Sequence, residues 1–525
     1  MGCSSRVPAF EGPGIRVPTS AFRRLDDHGA VPPAVFDVGP QILDPGFPGE
    51  NMETAVVWFR DDLRITDNPT LADAVTAADE VVPLYVVDPR KRGETEYGTE
   101  KLGAHRARFR RESLLELRAG LQDRGGDLFV RRGRPETVLP EVAGRVDADA
   151  VYAQTKPATE ELETEVGVRE TLPDDVSFER RWTHTLYHVS DLPTSYERMQ
   201  DTFTPWRKAV ERECSVRDLV APPDAVPTPD LPAGDVPTVS EYGLEAPTDD
   251  DRAVLRFEGG ESAGKRRLEE YFWEEDRLRE YKETRNGLLG AAYSSKFSPW
   301  LAAGCLSPRW IHEEVRRYED ERVSNEDTYW LVFELLWRDF FQFQFCKHGS
   351  RFFHPNGIRD VEKAWERDRE AFDRWANGET GIPFVDANMR ELNRTGYMSN
   401  RGRQNVASFL ADALGIDWRW GAAYFEERLV DYDVASNWGN WAYQAGVGND
   451  SRDNYFDVLS QAEYYDPDGE YVTTWLPELE GVPPEAVHRP WELSEGERAE
   501  YGVRPGVDYP EPIIDLEARY EDLQG

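Results

Sequence analysis

A chain of 525 residues with 16 Trp is too long for one ordinary hydrophobic core and too aromatic for a disordered polymer, so two packed domains are expected. Its 62 basic residues against 100 acidic ones leave a net charge of −38, which taken alone would exclude a phosphate-rich partner. The acid is spread along the whole chain, however. That is the pattern of adaptation to a salty cytosol, where surface carboxylates hold water and salt screens their repulsion, so net charge then excludes little. Cys3, Cys214, Cys305 and Cys346 are far apart and form no CxxC pair, which reads as a reducing compartment and no metal site. No apolar run approaches the roughly 18 residues that a membrane span requires, and a cytoplasmic location is expected.

The first 51 residues, beginning MGCSSRVPAFEGPGIRVPTS, lack the apolar core of a signal peptide, and their Pro and Gly content fits a disordered extension. MGCSS looks like a myristoylation start, but no polybasic segment follows, so no lipid anchor is expected. Met52, immediately before the first strand, is the expected true start. Strands are expected at Thr54–Phe59, Glu80–Asp88, Asp127–Arg131, Ala150–Ala153 and Val176–Arg180. Helices alternate with them: Leu71–Ala77 after Asn68-Pro69, His105–Arg124 ending at Gly125-Gly126, Pro135–Val146, and Glu160–Thr171. That alternation implies a doubly wound parallel sheet over 52–185. No GxGxxG follows the first strand, so NAD binding is not expected there.

Residues 186–250 read as a connector, Pro-rich and extended from Ala221 to Asp250. Beyond it the pattern is all helical over 251–500, with helices expected at Ser262–Lys282, Trp310–Tyr318, Asp327–Phe345, Lys363–Asn377, Met389–Arg394, Val406–Leu414 and Gly421–Val430. Residues 501–525 form an acidic tail.

Three stretches carry chemistry. YKETRNGLLGAAYSSKFS (Tyr281–Ser298) places hydroxyls and a Lys just before Pro299, either a phosphate cradle or an ordinary Ser-rich helix cap. In ELLWRDFF, Glu334, Trp337 and Arg338 share a helix face, either as a surface ion pair beside a packed Trp or as a cavity wall with a carboxylate and a stacking ring. The stretch from Gly381 to Asp453 is crowded with Trp, Asn, Arg and Asp at positions that also keep a helical apolar period. Such a mixture points to a buried polar cavity for something large, flat and hydrogen-bonding. Arg403, Asp431 and Asp433 read as an ion pair plus a second carboxylate, and Asn400 and Asn437 as readers of a ring edge. Trp441, Trp418 and Trp365 lie on different elements, where packing alone would also explain them.

WFRDDLRITDNPTL, YSSKFSPWLAAGCLSP, ELLWRDFF, TGYMSNRGRQNVASFL and DYDVASNWGNWAYQAGVGND together resemble the photolyase/cryptochrome family, over about Glu53 to Leu479. SNRGRQN with SNWGNWAYQAGVGND is most similar to its DASH branch. The resemblance implies an α/β domain, a long connector and a helical domain holding U-shaped FAD. Tyr281 and Ser294, Ser295, Lys296, Phe297 and Ser298 would hold the pyrophosphate region, and Glu334 and Arg338 the cavity floor. Asn400 and Arg403 would flank the flavin, Arg403 paired to Asp431. Asp433 would contact the flavin or ribose side, and Asn437 would face flavin N5. Trp441, Trp418 and Trp365, in that order outward, would deliver electrons. The implied activity is light-driven splitting of cyclobutane pyrimidine dimers in DNA, with Trp337 stacking on the flipped dimer and Glu334 hydrogen-bonding it. Tyr443 stands where double-strand-acting relatives carry a second Trp, and Gln404 replaces an apolar contact, so single-stranded DNA is the expected substrate. Arg394, Arg401 and Arg452 would line the DNA-facing rim. The branch often carries 5,10-methenyltetrahydrofolate as an antenna. Here the position of its anchoring acid reads Lys156, with Glu160 and Glu161 shifted. The alternative reading is a blue-light photoreceptor that signals by flavin photoreduction. A monomer is expected.

Overall fold

The computed structural model describes residues 52–449 and 455–524; the N-terminal extension 1–51, with Cys3, and Arg452 lie outside them. Five parallel strands form one sheet in the order β3-β2-β1-β4-β5, the doubly wound arrangement that the strand–helix alternation predicts. They are β1 (Met52–Phe59), β2 (Ala78–Val87), β3 (Phe129–Arg132), β4 (Ala150–Gln154) and β5 (Ser177–Arg181). Side chains alternate across it. Val56, Trp58, Val82, Leu84 and Val86 face one buried layer, and Ala55, Val57, Phe59, Val81 and Tyr85 the other. Helices α1 (Pro69–Ala77), α2 (Ala104–Gln122), α3 (Pro135–Val146) and α4 (Thr159–Thr171) connect the strands. Asn68 caps α1 through the Leu71 N–H, with Pro69 in the first turn.

The connector is more built than its Pro content suggests. It contains α5 (Phe203–Glu213), whose Phe203, Trp206 and Val210 are buried, a helix the sequence pattern did not reveal. Its extended part hydrogen-bonds to the sheet, the Val81 and Val130 N–H groups donating to the Pro227 and Ala233 carbonyls.

The helical half carries α6 (Glu261–Glu269), α7 (Tyr281–Thr284), α8 (Ser298–Ala302), α9 (Pro308–Glu321), α10 (Glu326–His348), α11 (Arg369–Asn377), α12 (Pro383–Thr395), α13 (Asn400–Ser408), α14 (Trp418–Arg428) and α15 (Val434–Gln444). The expected helix Ser262–Lys282 breaks after a π turn at Glu270–Glu274, and Asp276 enters the left-handed region at φ 54°. Residues 363–368 are not helical, because Glu366 bridges to Ile416 and Asp368 caps α11. Helix α15 had no counterpart in the sequence reading. The stretch set apart as an acidic tail packs onto this half: Tyr509 is 1% exposed and donates to Asp386, and 516–524 is helical.

Charges in the loop after β1 clasp the two halves. Asp67, fully buried, accepts from Arg309 at 2.6 and 3.1 Å and from the Val220 N–H. Arg64 donates to the carbonyls of Gly304 and Thr183. Gly304, at φ 70°, lies so close to the Asp61 carbonyl that a Cβ there would collide with it. The segment RDDLRITDNP, read as a polar loop, is therefore interior. A buried charge and a solvated one look alike in sequence.

Candidate functional site

Helices α13, α14 and α15 and the loop 429–433 enclose a cavity of about 550 Å³, its mouth included. Much of that space is open to solvent, and the volume comparable with a closed cavity is about 100 Å³. Asp433 caps α15 by accepting from the Ser436 N–H at 2.9 Å, which aims Asn437 and Trp441 of that helix at the cavity. On the opposite wall Nη2 of Arg403, on α13, donates to both Asp431 oxygens, at 3.1 and 2.8 Å, while its Nε donates to the Met398 carbonyl. Asn400 also lines the cavity.

The Asn437 amide donates to the Ala422 carbonyl at 2.9 Å. That acceptor fixes the orientation and leaves Oδ1 as the end available to the cavity. Gln404 Oε1 is buried with no hydrogen-bond partner among the described residues. Trp441 and Phe425, rings 5.1 Å apart and edge to face, supply the apolar wall.

The Ser294–Ser298 turn stands beside α8. Lys296 is left-handed at φ 58° and Phe297 is right-handed at φ −75°, a succession that turns neighbouring N–H groups to one side as an anion-binding nest. The Lys296 side chain takes no part in that nest. Its ammonium donates to the Ala291 carbonyl at 3.0 Å and lies over the Tyr293 ring, and burial, then Arg267, holds its pKa well below the ordinary lysine value. Ser298 Oγ donates to Asp431 at 2.6 Å, joining turn and cavity. Tyr281 is buried beside Ser295 and Glu334. Phe297 is buried against Phe272, and the Ser294 and Ser295 carbonyls accept from Arg267.

On α10, Glu334 pairs with Arg285 at 2.6 Å. Burial raises the Glu334 pKa and Arg285 opposes the rise. Trp337 stacks on Phe203 of the connector, centroids 3.7 Å apart and planes at 10°, with Tyr443 edge-on at 6.3 Å. Arg338 reaches the His184 and Leu301 carbonyls and so anchors α10 to the α/β half. Arg401 lies over Tyr465 at 4.6 Å, near Asn286 and Gln461. Arg394 is exposed at the end of α12, beside His105 and Asp250, away from Arg401's partners.

Trp365 and Trp418 both donate their indole N–H to the Pro355 carbonyl, each at 3.1 Å, so their nitrogens are separated by at most twice that distance. Trp441 lies against Gly421, one turn beyond Trp418 on α14, and 6.1 Å from Trp375. Sequence reasoning missed Arg285, Phe203 and Pro355. Arg285 follows Tyr281 by four residues, a spacing that shares a helix face and was the available signal. Nothing marks a backbone carbonyl in a sequence.

The donor set fits FAD: a flat wall, an amide oxygen at its edge, an unpartnered amide oxygen, a buried Arg–Asp ion pair and a backbone nest for phosphate. Arg403, Asp431, Asp433, Asn437 and Trp441 would hold the ring system and the 294–298 turn the phosphates.

The family model of DNA photolyase matches residues 55–230, and that of the FAD binding domain of DNA photolyase matches 330–524, which extends the resemblance past Leu479. A cryptochrome DASH of Natronomonas pharaonis is 70% identical over 474 residues, 90% of this chain and 100% of that protein. A cryptochrome DASH of Gloeobacter violaceus is 52% identical, covering 88% of this chain and 93% of its own length. The crystal structure of a Synechocystis cryptochrome superposes with a TM-score of 0.88 at 47% identity, over 90% of this chain and 98% of that one. With its parallel sheet, its helical half and an FAD-binding domain in that half, the chain belongs to the DNA photolyase family, in the cryptochrome DASH branch.

Proposed function

We propose that this protein is a blue-light-driven lyase that splits cyclobutane pyrimidine dimers, acting as a cytoplasmic monomer on single-stranded DNA. The observation that carries the reading is the packing of α10 against α15, where Trp337 meets Tyr443 edge-on at 6.3 Å and Gln342 donates to Asp433, the cap of α15. Trp337 and Glu334 offer a stacking ring and a carboxyl, and Asn437 and Trp441 form the wall of the adjoining cavity. Bound and reduced FAD would supply the light absorption and a single returnable electron, so that opening the two cyclobutane bonds would need no net oxidation.

The chain's own residues do the rest. Phe203 takes one face of Trp337 and fixes its plane, so a flipped pyrimidine dimer has a defined ring to stack on. Burial raises the Glu334 pKa and Arg285 pulls it back, so its carboxyl can accept from a base N–H while paired and donate to a base carbonyl only when protonated. Asn437 Oδ1 accepts a proton-bearing ring nitrogen without the repulsion a carboxylate would bring to an anionic ring. Trp365 and Trp418, tied to one carbonyl, and Trp441 nearer the cavity form the path for reducing equivalents. Gln404 and Tyr443 leave the mouth more polar and less aromatic than a duplex-opening site demands, and a strand already unpaired removes that cost. For a 5,10-methenyltetrahydrofolate antenna the acid on offer is Glu161, which keeps one buried oxygen without a partner among the described residues.

Repair of a defined thymine dimer by reduced, FAD-loaded protein in high salt, on single-stranded and duplex oligonucleotides in parallel, tests this. Blue-light turnover on the single strand that is lost in Glu334→Ala is expected. Equal turnover on both strands would refute the strand preference. No repair alongside normal flavin photoreduction would replace the lyase with a photoreceptor.

A further inference from the structure

In a doubly wound sheet the ligand crevice opens at the carboxyl ends of the strands, where the winding reverses. Here that point lies between β1 and β4. Lys156, just past β4, occupies it. Its Nζ is 3.3 Å from Oδ2 of Asp61, just past β1, and 3.3 Å from Oδ2 of Asp433 in the helical half. All three residues are buried. The second Asp61 oxygen accepts from Arg110 at 2.7 Å. The second Asp433 oxygen accepts from Gln342 at 2.8 Å and from the Ser436 N–H that starts α15. One ammonium from the α/β half thus meets the carboxylate that both lines the cavity and caps the helix bearing Asn437 and Trp441.

We propose that Lys156 is a positioning residue for the flavin cavity: it keeps Asp433 charged and seated as the cap of α15, and so ties FAD retention to the α/β half. This rests on FAD occupying the cavity. A buried carboxylate is costly unless paired, and pairing across 277 residues of chain makes the seat depend on the docking of both halves.

The groups facing Asp433 set the pH behaviour. Burial pushes its pKa up, and Lys156, then Arg338, with the Ser436 N–H, pull it well below the ordinary carboxylate value. His184, held neutral by burial, and Gln342 contribute no charge, and beyond Lys156 lie Asp61, Arg110 and Glu161. A depressed folded-state pKa means that the Asp433 contribution is complete above the ordinary value and is lost only as pH falls through the depressed one. Without Lys156 the largest group opposing the burial penalty is gone, and the Asp433 pKa moves up from its depressed value, held now by Arg338 and Ser436. The charge would then be lost at mildly acidic pH, where the native protein keeps it.

The test is FAD release from full-length holoprotein in high salt, followed by flavin fluorescence, for wild type, Lys156→Met, Lys156→Gln and Lys156→Arg. The ratio of release rates, Lys156→Met over wild type, should grow about tenfold between about pH 8 and about pH 5, the effect of one pKa unit. Lys156→Gln should behave like Lys156→Met, because charge and not reach is missing, and Lys156→Arg should restore wild-type behaviour. A ratio that does not change with pH would overturn the inference, as would an identical failure of Lys156→Arg. So would loss of the effect on adding Glu161→Gln, which would assign the titration to Glu161. A wild type that holds no FAD would instead refute the assignment of the cavity, and the inference with it.

Discussion

Gly421→Ala should harm this protein although helix propensity favours it. Gly421 lies inside α14, where Ala is normally preferred by about 1 kcal/mol. Here a Cβ would overlap Cη2 of Trp441 and stand 2.6 Å from its Cζ3 and 2.7 Å from Cδ2 of Leu410. Trp441 has nowhere to go: it is 3% exposed, with Phe425 edge-on at 5.1 Å and Trp375 at 6.1 Å. Leu410 is fully buried. Overpacking of this kind costs about 1–3 kcal/mol, so against the propensity gain a net loss of up to about 2 kcal/mol is expected. Urea unfolding in high salt reads it as a lowered midpoint at unchanged slope. Because Trp441 sits one turn past Asn437 on α15, moving its ring should also slow flavin photoreduction in the fully folded variant. A variant as stable as wild type that photoreduces normally would refute the packing of Trp441 against α14 and its place in the electron path.

Trp418→Phe keeps a ring but removes one of the two indole donors on the Pro355 carbonyl, at a stability cost of about 1 kcal/mol since Trp365 still donates there. Photoreduction of oxidised flavin should stall while chemically reduced protein repairs at the wild-type rate; unchanged photoreduction would remove Trp418 from the path. Asp67→Ala leaves Arg309 buried without its partner and should cost about 3–5 kcal/mol, read by denaturant in high salt. A loss of the size of a surface pair would mean that the clasp between the halves does not depend on this charge.

The sheet was legible because its strands are short apolar runs between turn signals, and both faces of β1 are covered as such a run requires. Helix α15 was not, because SNWGNW mixes Asn and Gly with Trp and has no clean apolar stripe. Its one mark is Asp433 followed by Ser436, a cap that looks like any other Asp in an acidic chain. The site divides in the same way. Glu334, Trp337 and Arg338 announced themselves by helical spacing, yet their partners Arg285, Phe203 and the His184 carbonyl come from elsewhere in the chain. Arg403 with Asp431 and Asp433 read as an ion pair plus a second carboxylate, and only the resemblance assigned Asp431 as the partner, since no period links α13 to the loop 429–433. Lys156 illustrates the limit. As a letter it departs from an antenna motif, and only the three-dimensional pairing with Asp61 and Asp433 gives it a role.

The net charge of −38 need not oppose an anionic cofactor and a nucleic-acid substrate, because the acid is partitioned. Inside, several carboxylates are matched with cations: Asp67 with Arg309, Asp431 with Arg403, Glu165 with Arg60, Asp433 with Lys156. Arg fills most of these places, as its fixed fork suits bidentate burial. The surplus acid is left for the surface, where salt screens it over about 10 Å or less. A phosphate approaching Arg285 or Arg401 would therefore meet a local cation whose distant acidic background is screened. The same partition makes high salt part of the working molecule. Dilution would restore long-range repulsion between exposed carboxylates while leaving the buried pairs intact, so the surface, and not the flavin cavity, should be the first region to feel a fall in salt.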